Sequence, residues 1–399
     1  MSPSLWIFLV VVTLIAGSVL QSRWLILSAT ALGAWLLIAY SWKRLALAKV
    51  IFQHRWRYRR GFPGEEITIK VTVENQKPLP LTWLRVTEPW PHQVFPEKDD
   101  EKRSYTVEQN ELASLYALRP KQRITRQLKL ELGERGVYKI GPATLESGDP
   151  FGFFSTQREQ GTVEEITVFP RLLPFSNLGL RSNDPFGERS SKRRLFFDQN
   201  LPIGVRPYHP EDDFRRIHWS ASARTGELQV KEYQPVSTRV MMVGLNVLTT
   251  AKPWLGTRRN LMEQLISTAA SICYQGVNDG YAVGLVSNGC LTHADHPFIL
   301  PPNRSPDQLA TLLHALAAVT PYTSASFEAY LLNVMSKVPY GATLVLITGL
   351  NSDTLWATLQ RLMKYRPVIT LISLDETPPP KIQNVNMVHL PYLEGEMGT

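Results

Sequence analysis

Two apolar runs at the N-terminus constrain this chain more than any other feature of its sequence. Residues 3–20 and 24–42 each have about the length that a helix needs to cross the hydrocarbon core of a bilayer. Arg23, in the short polar turn between them, carries the only charged side chain from Met1 to Trp42. A cleaved signal peptide would have a basic start and a single apolar run. The pattern therefore favours a hairpin of two transmembrane helices over residues 1–45.

The charges that follow the second run predict the orientation of this hairpin. Seven cations lie between Lys43 and Arg60, against the single Arg23 in the turn. Loops rich in Lys and Arg stay on the cytoplasmic side of a membrane. We therefore expect a multi-pass protein of the cell membrane with two helices and the lipid bilayer as a partner. Both termini and residues 43–399 would be cytoplasmic.

Length and composition exclude several other classes of protein. The 399 residues exceed a typical single domain, and 44% hydrophobic with 20% charged residues exclude a disordered chain. The two cysteines, Cys273 and Cys290, are too few for a disulfide framework or a four-ligand zinc site, and they fit a reducing compartment. Cys273 falls on the apolar face of a predicted helix, which predicts a buried thiol.

Residues 46–170 have the period-two pattern of half-buried β-strands. Apolar and polar residues alternate from Glu65 to Glu74 and again over 124–132, with turn-forming segments such as Gly61–Gly64 between the strands. The pattern predicts an antiparallel β-sandwich, immunoglobulin-like in type. Residues 171–203, which are basic and rich in Pro and Ser, are interpreted as an extended linker.

Residues 236–399 alternate apolar runs of strand length with amphipathic helices. Such alternation predicts a mainly parallel sheet that is covered by helices on both faces. Ligands of these sheets bind at the carboxyl ends of the strands, which here fall near residues 246–250 and 348–353.

The densest group of polar residues lies between these two sections, at residues 204–235. It contains four arginines, two adjacent aspartates, two histidines and a tryptophan. Our first interpretation is an arginine–aspartate network that clamps the two domains together, with Trp219 as its apolar anchor. A docking surface and a catalytic site are the two alternatives. The signature residues are Arg206, Tyr208, Asp212, Asp213, Arg215, His218, Trp219 and Arg224.

This segment resembles the signature of the bacterial family catalogued as domain of unknown function fifty-eight. The resemblance is carried by Arg206-Pro-Tyr208, Asp212-Asp213, Ile217-His218-Trp219 and the run from Ser222 to Leu228. Arg135–Pro142 and Asp149–Gly152 resemble upstream motifs of that family, whereas Glu211 replaces its usual glycine. The resemblance implies a C-terminal section like that of von Willebrand factor A proteins. It also implies MoxR-type AAA+ ATPases as partners.

A von Willebrand A domain that binds Mg²⁺ uses Asp-x-Ser-x-Ser after its first strand, because hard cations need convergent oxygen ligands. This chain has Asn246 in place of the aspartate, Leu248 in place of the first serine, and Thr250 at the last position. Gly349 stands where a later aspartate is expected. We therefore predict a degenerate site that holds no metal, and we expect no other cofactor.

These observations lead to a non-enzymatic, membrane-anchored cytoplasmic protein as the first hypothesis. It would act in protein interaction or assembly, as an adaptor for a MoxR-type AAA+ ATPase. One alternative is a hydrolase that uses Asp212, Asp213 and His218. A second is nucleic-acid binding at the membrane surface, suggested by the net charge of +8 and the basic linker. That linker lacks interleaved aromatic residues, so nucleic acid is a less favoured partner.

Overall fold

The computed structural model of the chain divides into two compact units, Met1–Phe169 and Pro170–Thr399, so the predicted multi-domain organisation is confirmed. The structure describes residues 3–96, 105–108, 110–174, 196–209, 212, 214, 217–236, 239–251, 256–338, 342–365 and 368–392.

The first unit begins with two helices, α1 (Pro3–Val19) and α2 (Arg23–Ala46). Gly17 lets them approach closely, because a Cβ added there would lie 3.0 Å from the Ile26 side chain. Within the described residues, α2 is the one helix long and apolar enough to cross a membrane by length and composition. The N-terminal apolar helix is thus confirmed as a candidate span, and α1, with 17 residues, falls short of the same length.

Lys77 links the strand region of the first unit to the C-terminal end of α2 by hydrogen bonds. Its buried ammonium donates hydrogen bonds to the carbonyl oxygens of Leu45, at 3.0 Å, and Ala46. A cation at this position satisfies carbonyls that have no partner within the helix and complements the negative end of the helix dipole. Burial lowers the pKa of Lys77 to about 8.

The rest of the first unit consists of short strands in three sheets, whose strand orders are β1-β3-β8-β5, β11-β10-β4-β7-β6 and β2-β12-β9. All described pairings are antiparallel except that of β2 with β12. The strands are β1 (Val50–Trp56), β2 (Arg60–Gly61), β3 (Glu66–Asn75), β4 (Leu81–Pro89), β5 (Val94–Pro96), β6 (Tyr105–Glu108), β7 (Glu111–Leu118), β8 (Arg123–Leu132), β9 (Gly136–Ile140), β10 (Ala143–Gly148), β11 (Ser155–Gln160) and β12 (Glu164–Val168).

Side chains from all three sheets form one apolar core in this unit. Ile69 on β3, Leu84 on β4, Leu145 on β10 and Ile166 on β12 are fully buried and belong to the same cluster. The alternation predicted for Glu65–Glu74 is present in β3, where buried side chains recur at every second residue. Period-two hydrophobicity therefore placed one face of each sheet in the core.

The second unit is built on a seven-stranded sheet of order β17-β16-β15-β19-β20-β21, with β18 added beside β16. The pairs β15–β16, β15–β19, β19–β20 and β20–β21 are parallel, whereas β17 and β18 are antiparallel to β16. The strands are β15 (Val240–Leu245), β16 (Ala282–Leu291), β17 (Ala294–Asn303), β18 (Val319–Thr323), β19 (Thr343–Thr348), β20 (Val368–Ser373) and β21 (Val385–His389). The helices are α4 (Arg259–Asn278), α5 (Gln308–Ala318), α6 (Phe327–Val334) and α7 (Asp353–Leu362), with 3₁₀ turns at Met335–Lys337 and Met363–Tyr365.

Two further strands precede this sheet, and one of them corrects the interpretation of residues 171–203 as a linker. β13 (Phe196–Pro207) pairs antiparallel with β14 (Gln229–Val236), and α3 (Trp219–Thr225) lies between them. β13 begins inside the range 171–203 that was interpreted as a linker, so that segment is not extended linker throughout. Its partner strand lies more than twenty residues further on, which local periodicity does not reveal. Residues 175–195 lie outside the described residues.

Candidate functional site

The described signature residues other than Arg206 lie in the segment that connects β13 to β14, which we call the signature loop (residues 208–228). The register of the two strands places Arg206 opposite Val230 and Pro207 opposite Gln229. An isolated bridge between Ile217 and Val230 adds a further contact to β14. The loop is thus held at both ends and in its middle by the same strand.

Arg206, near the end of β13, forms an ion pair with Asp212 of the signature loop. The guanidinium donates two hydrogen bonds to the carboxylate, with lengths of 2.7 and 2.6 Å, and the backbone N–H of His209 donates a third at 2.9 Å. The hydrogen bonds from Arg206 and from the His209 backbone lower the pKa of Asp212 to about 2. A carboxylate this acidic, with both oxygens engaged, is poorly suited to act as a general base near neutral pH.

His218 caps α3. Its Nδ1 accepts a hydrogen bond from the backbone N–H of Ala221 at 3.1 Å. Ser222 links the helix to β14, since its hydroxyl accepts from the Gln229 N–H at 2.8 Å and donates to the His218 carbonyl at 3.0 Å. Gly226 ends the helix with a φ of 74°, in the left-handed region that glycine adopts without strain. These motif residues have structural roles that shape the loop.

Trp219 does not anchor the loop, and that prediction is wrong. Its side chain is 69% exposed, while Ile217 is only 4% exposed and Val230 is buried. Ile217 bridges to the strand and fills the apolar position, so the first residue of α3 turns outward to solvent. Phe214 is also 68% exposed, and its ring lies 5.7 Å from that of Tyr208.

The structure assembles only part of the predicted network. Arg206 and Asp212 meet in the second unit, whereas the side chain of Arg224 is exposed at the end of α3. Asp213 and Arg215 lie outside the described residues. The described part of the signature loop therefore combines one ion pair, a capped helix and outward-facing aromatic rings.

The positions predicted as a degenerate metal site lie at the carboxyl ends of β15 and β19. The Asn246 side chain accepts from the Leu248 N–H and from Asn288, at 3.2 and 3.0 Å, and donates to Thr348 at 3.2 Å. The hydroxyl of Thr250 donates to the Gly256 carbonyl at 2.7 Å. Neutral side chains thus satisfy one another at positions where a von Willebrand A metal site has anionic ligands.

A side chain at Gly349 would crowd two leucines of α4. A Cβ added there would lie 3.1 Å from the Leu261 side chain and 3.2 Å from that of Leu265, both on α4. Among the described residues, no group of three or more His, Cys, Asp and Glu side chains has the arrangement needed to hold a metal ion. The sequence reasoning missed Asn288, which lies within β16, although its place directly after the apolar run 281–287 was a usable signal.

A second polar cluster lies in the first unit, and sequence reasoning did not find it. His54 on β1 lies 3.1 Å from the Glu88 carboxylate on β4 and 3.2 Å from the Glu164 carboxylate on β12. Burial alone lowers the pKa of His54, but the hydrogen bonds and charges of the two carboxylates outweigh burial and raise it. A cavity of about 210 Å³ adjoins the three side chains. No local pattern marks these residues, because they meet only when three strands assemble.

The fold and the signature loop define a multi-domain protein with an N-terminal apolar helix, antiparallel sheets and a mainly parallel α/β unit. Residues 204–389 match the model of the family described as "Protein of unknown function DUF58". The predicted resemblance to this family is therefore confirmed for that section, which makes up just under half of the chain.

One relative is "Uncharacterized protein YeaD" of Bacillus subtilis (strain 168). It is 21% identical over 228 residues, which make up 57% of this chain and 52% of that protein. The chain thus spans about half the length of the curated relative it matches.

Two cohesins are among the solved structures that resemble part of the chain. The non-cellulosomal cohesin of Archaeoglobus fulgidus is 14% identical with a TM-score of 0.21, and the match covers 30% of this chain and 91% of that one. For a type II cohesin domain of Acetivibrio cellulolyticus the identity is 11%, the TM-score 0.22, and the coverage 30% and 94%. At these TM-scores the likeness carries no argument about this chain.

Proposed function

We propose that this protein is a membrane-anchored interaction or assembly protein and that its signature loop is a docking surface. The observation that carries the proposal is the exposure of Trp219 and Phe214 within the most distinctive motif of the chain. Large aromatic residues are enriched at the energetic centres of protein interfaces. The cap at His218 and the ion pair of Arg206 with Asp212 hold the backbone beneath the rings, which reduces the entropy lost on binding.

The anchor in this proposal is a hairpin of two transmembrane helices formed by α1 and α2, with both termini in the cytoplasm. The turn charge Arg23 and the cations from Lys43 onward support this orientation. Alkaline phosphatase, which is active only outside the cytoplasm, tests it. A fusion after Thr399 is expected to be inactive and an insertion at Gln21–Arg23 active; the reverse result contradicts the topology.

The finer fold assignments belong to the same proposal. The antiparallel sheets around one core in the first unit are compatible with an immunoglobulin-like sandwich. The second unit, with parallel strands and helices α4 to α7, is compatible with a von Willebrand A-like domain whose metal site is degenerate. Such a domain would bind its partner through side chains and not through a shared cation.

The partner implied by the family resemblance is a MoxR-type AAA+ ATPase, for which the protein would act as an adaptor. Purification of the full chain from its native membrane, followed by mass spectrometry, tests this. We expect the ATPase to be captured by the wild-type chain and lost with Trp219→Ala. Tyr322→Ala is the matched control, because Tyr322 is also an exposed aromatic residue, at 76%, but lies outside the signature loop. This variant should capture as much ATPase as the wild-type chain does.

The hydrolase alternative fits the described residues less well. Asp212 is engaged by Arg206, and Nδ1 of His218 accepts the capping hydrogen bond of α3. Both groups would need to be released before they could transfer protons with a substrate.

A further inference from the structure

The length of α2 sets the depth at which each of its residues would lie in a membrane. At 1.5 Å per residue, the helix rises about 30 Å from Arg23 to Lys43, which equals the thickness of a bilayer's hydrocarbon core. The same rise places Trp35 about 18 Å from Arg23 and about 12 Å from Lys43. If α2 spans the bilayer, Trp35 therefore lies within the cytoplasmic leaflet, below the headgroups.

A turn of the strand region contacts α2 at this depth. The turn joins β10 to β11, and we call Asp149–Phe154 the hairpin tip. The Trp35 ring lies 4.9 Å from the ring of Phe153 and 5.3 Å from that of Phe151. Phe154 packs with Leu36 and Ala39 in a small buried cluster. The hairpin tip thus lies beside a part of α2 that is too far from Lys43 to be outside the hydrocarbon region.

A bilayer requires that the polar groups of a loop have internal partners, and several backbone groups of the hairpin tip have them. The buried Asp149 carboxylate accepts hydrogen bonds from the N–H groups of Phe153 and Phe154, at 2.8 and 3.1 Å. The Asp149 carbonyl accepts from Gly152 and from the Trp83 indole, at 3.2 and 3.0 Å. Pro150 has no N–H group to satisfy.

The side chain of Phe151 lies at the surface of the hairpin tip, next to α2. It is 66% exposed, although it is a large apolar ring in contact with Trp35. The lipid-facing candidates on α2, Leu37 and Ile38, are exposed as well. The ring of Phe151 therefore extends the apolar surface of the helix onto the strand region.

We propose that the hairpin tip inserts into the cytoplasmic leaflet beside α2, with Phe151 in contact with lipid acyl chains. The inference rests on the proposed membrane anchor. Insertion would fix the strand region against the membrane at a second point besides the junction of α2 with Lys77, and so would hold the first unit at a defined height above the surface.

Depth-dependent fluorescence quenching on the full chain in phosphatidylcholine–phosphatidylglycerol vesicles tests the proposal. Single cysteines are introduced as Phe151→Cys, Ile38→Cys and Val163→Cys and labelled with a nitrobenzoxadiazole dye. The unsubstituted chain gives the background, since Cys273 and Cys290 are buried. Val163 is exposed at the opposite end of β11 from the hairpin tip and serves as the matched control.

Insertion predicts that nitroxides on the lipid acyl chains remove most of the fluorescence from the labels at positions 151 and 38. Aqueous iodide should quench only the label at position 163. Iodide quenching at 151 together with lipid quenching at 38 would overturn the insertion and leave the anchor intact. Iodide quenching at both would refute the anchor and the inference with it. A label at 151 that neither agent reaches would show that protein covers the hairpin tip, which also overturns the proposal.

Discussion

Trp219 and Ile217 are two residues apart in the signature loop, and the structure predicts opposite consequences for their removal. Trp219 is 69% exposed, so Trp219→Ala removes little buried area and should change the free energy of unfolding by no more than about 0.5 kcal/mol. Ile217 is 4% exposed against β14, so Ile217→Ala should cost about 2–5 kcal/mol. For a unit of this size each kcal/mol lowers the melting temperature by about 2–4 °C.

Binding should show the reverse order. Truncation of an aromatic residue at the centre of an interface costs about 2 kcal/mol or more, which raises Kd about 30-fold. Thermal melting of the detergent-solubilised chain gives the first quantity. Quantitative mass spectrometry of the proteins that copurify from the native membrane gives the second. Tyr322→Ala, an exposed aromatic substitution elsewhere in the second unit, should leave both unchanged.

Two results would refute this reasoning. If Trp219→Ala lowers the melting temperature as much as Ile217→Ala does, the Trp219 ring is packed, and the interpretation of the signature as a structural clamp is favoured again. Trp219→Ala with normal melting and an unchanged set of copurifying proteins would show that the exposed ring is not a docking residue.

Four further predictions concern titration and ligands. Glu88 and Glu164 raise the pKa of His54, so protonated His54 should stabilise the first unit below pH 6.5. This stabilisation is lost as the pH rises through the folded-state pKa of His54. Glu88→Gln should therefore make the melting temperature depend less on pH over this range. The carboxyl ¹³C shift of Asp212 should titrate with a midpoint near pH 2, because the ion pair with Arg206 stabilises the fold fully above pH 3.8 and is lost as the pH falls through about 2. In Arg206→Gln the midpoint should rise toward the ordinary pKa of an aspartate. Burial raises the pKa of Cys273 to about 12, so Ellman's reagent at pH 8 should react with it only after denaturation. Calorimetry with Mg²⁺ should show no stoichiometric site; a micromolar site lost in Thr250→Ala would contradict the degenerate assignment at Asn246 and Gly349.

Strands with strong local patterns were predictable, and those defined by a distant partner were not. β3 and β8 followed from strict alternation, and β15, β16, β19 and β20 from apolar runs. β17 was missed because Pro297, Pro301 and Pro302 interrupt any strand pattern, yet β16 supplies a partner at the edge of the sheet. β13 was missed for the related reason that its partner β14 lies beyond the whole signature loop.

The sequence by itself determined the N-terminal apolar helix, the change from period-two to helical periodicity, and the motif that resembles the DUF58 family. These properties reside in neighbouring residues, so they are present before the chain folds. Only the tertiary structure decided that Ile217 points inward and Trp219 outward, that His54 meets two carboxylates, and that Phe151 lies against Trp35. The hydrophobicity of a side chain shows that it favours burial. Whether it is buried depends on the strands and helices, often distant in the sequence, that pack against it.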